Sequence, residues 1–368
     1  MRIALLFCFL GFLSACSEVV HAPVYPEAMN SPAKTRVFVA TSRGQDASGF
    51  YDRSRSTSPT YLETTISLPA NRRPGDAPAI SNRPDFAEHY VVADQRQFDS
   101  ADELATEIRR ASRTQSGGGS EVVVFVHGFY NSYAHSLFRV AQIKQDLGVT
   151  APVVNFSWPS AGRALAYNYD SESVLFARDD LEKLLLALSR KGPDRLVLVG
   201  HSRGSLLITE ALRQMEIRSP GWSERNLSGL LFIAPDMPVE VFLRSMEQFK
   251  SVPTPFMIMA ARNDRALRLS SRVNSSNLRL GQITDPTELG DLPITLIDVS
   301  KFSMSGNNNH MLFAESAALI SLVRDRRALR ILTESLDREN LKSLEKSVQV
   351  VGEAVSVQLV PTDSSPSR

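Results

Sequence analysis

LVLVGHSRGS, Leu196–Ser205, is the stretch on which the reading of this chain turns. Leu196-Val197-Leu198-Val199 is a continuous run of strand-forming residues, short enough for a strand buried on both faces. Ser205–Met215 then recurs at helical spacing. Between them lies a G-x-S-x-G pentapeptide, Gly200-His201-Ser202-Arg203-Gly204. The pentapeptide alone is a weak signal; a strand directly before it and a helix directly after it make it a strong one. So sharp a turn leaves no room for a Cβ at Gly200 or Gly204. It lifts the Ser202 hydroxyl above the strand end, at a helix N-terminus, where developing negative charge is favoured.

The same rhythm extends on both sides. Val122–Val126, Val153–Ser157, Gly229–Ile233, Phe256–Ala260 and Ile294–Val299 read as apolar strands. Between and after them, helices are predicted at Ser132–Leu147, Ser171–Arg190, Val239–Phe249 and Met311–Leu322. In Ser171–Arg190 the apolar residues Val174, Leu175, Leu181, Leu184, Leu185 and Leu188 fall on one face. Upstream, Arg36–Ser42 and Leu62–Leu68 read as strands joined by a polar segment, His89–Ala93 as a short strand, Ser100–Ser112 as a helix capped by Ser100, and Ser116–Ser120 as a loop. Apolar strands alternating with helices predict an α/β architecture: a mostly parallel sheet flanked by helices. Only about twenty residues separate Gly229–Ile233 from Phe256–Ala260, which leaves no room for a large cap domain there.

A serine hydroxyl needs a base. Where the serine sits on such an elbow, the triad runs Ser, acid, His along the chain. Of the six histidines (His21, His89, His127, His135, His201, His310) only His310 follows Ser202. The acid has two candidates. Asp264 follows the Phe256–Ala260 strand, and Asp236 follows the strand before it; Asp264 is the first choice and Asp236 the alternative. The oxyanion needs N–H donors. One is Arg203, next to the nucleophile; the other comes from the loop after His127-Gly128, with Phe129 first and Tyr130 second. Gly128 would let that loop approach the substrate, and His127 would brace it. Phe129, Tyr130 and Met311 are candidates for an apolar wall.

The segments VVVFVHGFYNS (Val122–Ser132), FSWPSAG (Phe156–Gly162), YNYD (Tyr167–Asp170), LVGHSRGS (Leu198–Ser205), APDMPVEVF (Ala234–Phe242), RNDRALRLS (Arg262–Ser270) and NHMLF (Asn309–Phe313) resemble a bacterial α/β-hydrolase family of unknown function, related to serine esterases and lipases. The likeness runs from about Arg36 to Leu322. It implies the α/β-hydrolase fold and a triad of Ser202, His310 and an Asp, but no substrate. The expected activity is acyl-enzyme hydrolysis of an ester-type bond in a small-molecule or lipid-like substrate, with no cofactor and no metal. A non-catalytic binding lipoprotein on the same fold, or a peptidase or transacylase, are the alternatives.

Composition narrows the field. The 368 residues are 43% hydrophobic and 22% charged, with 41 Lys and Arg against 40 Asp and Glu. This balance speaks against a nucleic-acid partner. The cluster Arg324, Arg326, Arg327 and Arg330 reads as a solvated helix face. Both cysteines, Cys8 and Cys16, lie in the first sixteen residues, so the body can hold no disulfide framework and no cysteine nucleophile. Arg2 followed by Ile3–Leu13 has the order of a secretory signal, and Leu13-Ser14-Ala15-Cys16 resembles a bacterial lipobox. The expectation is a signal peptide over 1–16, lipidation at Cys16, and anchoring at the cell envelope, on the outer membrane facing the periplasm. Residues 17–35 read as a tether, 36–324 as the hydrolase domain, and 325–368 as a charged helical segment (Leu336–Val348) with a loose tail from Pro361.

Overall fold

The computed structural model describes residues 20–113, 120–163, 166–273, 278–302, 309–316, 320, 348–351 and 354–358. The lipobox with Cys16, the glycine loop 116–119, the arginine cluster, the segment 336–347 and the tail from Pro361 lie outside these residues. Among the described residues no helix is long and apolar enough to cross a membrane.

The chain runs β1 (Lys34–Gln45), β2 (Tyr51–Ser67), β3 (Val91–Phe98), α1 (Ala101–Arg113), β4 (Glu121–Val126), α2 (Tyr133–Asp146), β5 (Val153–Ser157), α3 (Tyr167–Lys191), β6 (Arg195–His201) and α4 (Arg203–Arg218). There follow α5 (Trp222–Asn226), β7 (Leu227–Ile233), α6 (Val239–Met246), β8 (Phe256–Ala260), α7 (Arg265–Val273), β9 (Ile294–Asp298), α8 (Leu312–Glu315), β10 (Val348–Val351) and β11 (Ala354–Gln358). The strands form one sheet in the order β10-β11-β9-β8-β7-β6-β4-β5-β1-β2-β3. From β11 to β1 every neighbour is parallel; β10 and the β1-β2-β3 meander add antiparallel edges.

Strand side chains alternate between two cores, as the pleat dictates. In β4, Val122, Val124 and Val126 face the core shared with α1, α3, α4 and α6, whereas Phe125 faces the core shared with α2 and α8. The apolar stripe of α3 is buried where the sequence put it: Val174, Leu181, Leu184, Leu185 and Leu188 are inaccessible, while Leu175 is exposed. Truncating Leu184 to Ala would cost about 2–5 kcal/mol. The connection from β7 to β8 carries only the eight-residue α6, so no large cap occupies it.

Three segments differ from the sequence expectation. β1 and β2 are far longer than Arg36–Ser42 and Leu62–Leu68, because the polar stretch Tyr51–Thr60 is held by an antiparallel ladder and not by apolar burial. The tether reading fails from Val24: the Tyr25 N–H bonds Val92 O at 2.8 Å, and Ala28 is buried against Val91 and Ala93. Beyond Arg324 the sheet continues past the expected domain boundary: β10 and β11 pair antiparallel and β11 pairs in parallel with β9, whereas the helix and the loose tail expected there fall outside the described residues. Of the helix expected over Met311–Leu322, α8 covers Leu312–Glu315, and residues 317–319 and 321–322 lie outside the described residues.

Candidate active site

The carboxyl ends of β4, β6, β7, β8 and β9 meet on one edge of the sheet, where open α/β sheets bind ligands. Ser202 stands at the end of β6 and caps α4, with φ 53° and ψ −121°. Such a conformation costs a non-glycine residue about 1–3 kcal/mol and persists only where its surroundings enforce it. Among the described residues, the non-glycine residues with positive φ are Tyr130 (64°), Ser202 (53°) and Ala234 (45°). They follow β4, β6 and β7, so the strain is gathered around one serine.

The glycines explain how so tight a turn closes. A Cβ on Gly204 would lie 2.1 Å from Val126 O; one on Gly200 would lie 2.8 Å from Ser205 Cα; one on Gly128 would lie 2.7 Å from Ser202 Cβ. Gly281, which the sequence reading did not single out, is needed in the same way. Its Cβ would meet the Ala234 carbonyl carbon at 2.6 Å.

His310 follows β9 and comes back to this edge. Its Nδ1 lies 2.7 Å from Asp264 Oδ2, and Asp264 is fully buried. Asp264 Oδ1 accepts the Leu267 N–H at 3.0 Å, which fixes the carboxylate. Because a carboxylate only accepts, Nδ1 carries the ring proton and Nε2 is left as the basic atom. Burial pulls the His310 pKa down, but the charge and hydrogen bond of Asp264, joined by the charge of Asp236, outweigh it and leave the pKa raised above 6.5. The ring packs on that of His201, centroids 4.8 Å apart, and His201 is the chain neighbour of Ser202. His201 Nε2 also lies 3.2 Å from the His310 carbonyl oxygen. Burial, then the neighbouring His310, lowers the His201 pKa well below 6.5, so this ring is neutral.

Asp236, the alternative acid, lies close by but is otherwise engaged. Its carboxylate accepts the Ser270 hydroxyl at 2.7 Å, is reached by the Tyr167 hydroxyl at 3.4 Å, and lies 3.4 Å from Arg279 Nε. Its backbone N–H donates to Ser202 O at 3.2 Å. Asp264, and not Asp236, is therefore the residue bonded to the His310 ring.

On the other side of Ser202 is the loop from β4. The ring of His127 stacks on Trp158 (centroids 5.0 Å, 10°), its Nδ1–H bonds Gly128 O at 2.9 Å, and Trp158 Nε1 donates to His127 O at 2.7 Å. Burial, then the charge of Arg43, pushes the His127 pKa down to about 3. Asn131 Nδ2 folds back on Gly128 O and Phe129 O at 3.2 and 3.0 Å. The Tyr130 N–H is among the groups that favour the charged form of the Asp170 carboxylate, which makes Phe129 the better placed oxyanion donor of the two. Among the described residues neither the Phe129 N–H nor the Arg203 N–H has an acceptor, so both are available to a ligand. Phe129 packs on Tyr167 at 5.5 Å, Tyr130 is more than half exposed at the rim, and Met311 leans on the α2-side core. The Arg203 side chain, unlike its N–H, is committed: it lies over the Tyr167 ring and bonds Ser171 Oγ and Asp236 O.

Sequence reasoning missed His201, Arg43, Asp170 and Arg279. Asp170 accepts from Ser160 Oγ (2.5 Å) and Ala161 N (2.7 Å); its signal was present in the FSWPSAG and YNYD segments, whose roles the motif reading left unassigned. Among the described residues no cluster of His, Cys, Asp and Glu has the make-up of a metal site.

These features define an α/β-hydrolase, and the comparison with known families agrees. The chain belongs to the family described as alpha/beta hydrolase of unknown function (DUF900), which matches residues 100–326. A 63-residue stretch is 36% identical to the uncharacterized protein alr1448 of Nostoc sp. (strain PCC 7120), spanning 17% of this chain and 16% of that protein. Among solved structures, a study of two esterases of Rhizomucor miehei supplies one at 11% identity, with 83% of this chain and 87% of that chain covered and a TM-score of 0.37. An esterase of Pyrococcus furiosus is 11% identical, with 83% and 96% covered and a TM-score of 0.32. A thermophilic esterase of Thermogutta terrifontis is 13% identical, with 74% and 89% covered and a TM-score of 0.28.

Proposed function

We propose that this chain is a serine hydrolase that cleaves an ester-type bond through an acyl-enzyme. The observation that carries the reading is an imidazole held at 2.7 Å by a buried carboxylate and packed on His201, the chain neighbour of a strained, elbow-borne Ser202. Nε2 of His310 takes the proton as Ser202 Oγ attacks the carbonyl carbon. The resulting oxyanion is received by the N–H groups of Phe129 and Arg203, and Asp264 steadies the imidazolium. The proton then passes from His310 to the leaving oxygen. Water, deprotonated by the same ring, releases the acid and restores Ser202.

Phe129 and Tyr167 give the site an aromatic wall, and the short β7–β8 connection inserts no cap domain over it. Both features suit a small or lipid-like acyl group. Together with a lipid anchor at Cys16, they suit a substrate met at the bacterial envelope, on the periplasmic side of the outer membrane. Assay of p-nitrophenyl esters of two to twelve carbons tests the chemistry: turnover by the wild type and its loss in Ser202→Ala support it. A folded wild type inert to esters, thioesters and peptides would favour a binding role. Cys16→Ser tests the anchor; protein that stays in the membrane fraction after that change argues against it.

A further inference from the structure

Arg43 has no role in the triad, yet it is 1% exposed and all three of its guanidinium nitrogens are hydrogen-bonded. It comes from β1, outside residues 100–326 that the family matches. The ladder with β2 slips on both sides of it, between Thr41 and Arg43 and between Arg43 and Gln45. Irregularities of this kind re-aim a side chain and recur beside active sites. The guanidinium donates to Asn131 O (2.7 Å), Ser160 O (2.9 Å), Asp52 O (3.0 Å) and Ser157 Oγ (3.0 Å). All four acceptors are neutral, so the charge is buried without a directly bonded carboxylate. A buried guanidinium so placed is expensive in desolvation and is a poor source of stability.

Two of its four acceptors, Asn131 and Ser160, lie in or directly beneath the oxyanion-side loop. Asn131 closes the Gly128–Phe129 turn with its own amide. Ser160 Oγ accepts the Asn131 N–H at 3.3 Å and donates to Asp170. Arg43 holds both residues from behind. We propose that Arg43, supplied by the N-terminal hairpin, is a positioning residue that holds the Gly128–Ser132 loop with the Phe129 N–H aimed at the oxyanion. The site is thus completed by a segment outside the family-matched region. This inference rests on the serine-hydrolase reading.

Arg43→Lys keeps the charge but loses the fork that spans Asn131 and Ser160. Ser160→Ala leaves Arg43 and its bond to Ser160 O in place and removes the next link of the strap, the hydroxyl between the Asn131 N–H and the Asp170 carboxylate, and serves should the Arg43 variant fold poorly. Active sites are counted with a fluorophosphonate, and kcat is expressed per labelled site. Both variants are expected to lose at least about tenfold in kcat, with KM within about threefold, since a full oxyanion donor carries 10²–10³. A trifluoromethyl ketone, which forms an oxyanion on Ser202, should weaken in parallel with kcat/KM. A non-reactive substrate amide should bind as before. A purely structural role would lower the melting temperature and the number of labelled sites but leave per-site kcat and ketone affinity intact, and that result overturns the proposal. A wild type with neither ester turnover nor labelling overturns the hydrolase reading itself, and the strap with it.

Discussion

Asp264→Asn tests the site where its geometry is most specific. The carboxylate has two jobs on two oxygens: Oδ1 accepts the Leu267 N–H at 3.0 Å, and Oδ2 faces His310 Nδ1 at 2.7 Å. An asparagine fits the same buried space, but the Leu267 N–H dictates its orientation. The amide oxygen must stay at the Oδ1 position, so the NH2 group points at the imidazole. A donor there requires a lone pair on Nδ1, which moves the ring proton to Nε2, the atom that must accept the serine proton. The base is present but in the wrong tautomer, and the expected loss is about 10³–10⁴-fold in kcat/KM, or about 4–5 kcal/mol of transition-state stabilisation. Asp236→Asn leaves the His310 bond untouched; it removes a neighbouring charge and the ion-pair partner of the buried Arg279, so the loss in activity of the folded protein should be about tenfold or less. The assay is steady-state hydrolysis of a short p-nitrophenyl ester by both variants, with melting temperatures measured alongside. The reasoning is refuted if Asp236→Asn loses more activity than Asp264→Asn, or if folded Asp264→Asn stays within about threefold of wild type.

Other outcomes follow from the same contacts. The kcat/KM should rise with pH as His310 gives up its proton, with an inflection above 6.5; Asp236→Asn should move that inflection down, and an unmoved inflection contradicts the electrostatic role given to Asp236. His127 and His201 are buried neutral, with pKa values below 6.5. The unfolded chain binds more protons below that pH, so their contribution to stability is present above about pH 6.5 and is lost as the pH falls; a melting temperature that rises on acidification from 7 to 5 contradicts this. Gly128→Ala would set a methyl 2.7 Å from Ser202 Cβ and 3.0 Å from His201 Nδ1. It should cost about 1–3 kcal/mol of stability and about 10²-fold in activity, measured by denaturant titration and ester turnover.

How much of this could be read from the chain depends on what holds each part. Val153–Ser157 and Phe256–Ala260 are strands to the residue, because buried parallel strands announce themselves as unbroken apolar runs. The elbow was legible for a related reason: Gly200 and Gly204 are steric necessities, and the collisions a Cβ would meet there bear that out. The first half of β2 carries no such signal. YDRSRSTSPT is polar throughout and is a strand only because β1 lies alongside. At the C-terminus the signal was present in the alternation of Val348–Gln358, VQVVGEAVSVQ; the charged residues before it masked it. The choice of Asp264 over Asp236 depends on where the loop after β9 returns His310, a tertiary fact with no local trace. Nothing in RVFVATSRGQ says that Arg43 is buried beside Thr41 and Ser42 and serves a loop some ninety residues away.

The central claim is that Ser202 is an activated nucleophile, and a fluorophosphonate tests it without any knowledge of the substrate. The full chain is incubated with the probe, digested and mapped by mass spectrometry. The account predicts a single adduct on Ser202 that is absent in Ser202→Ala and strongly slowed in His310→Ala. Well-folded protein that takes up no probe, or takes it up on another residue, contradicts the account.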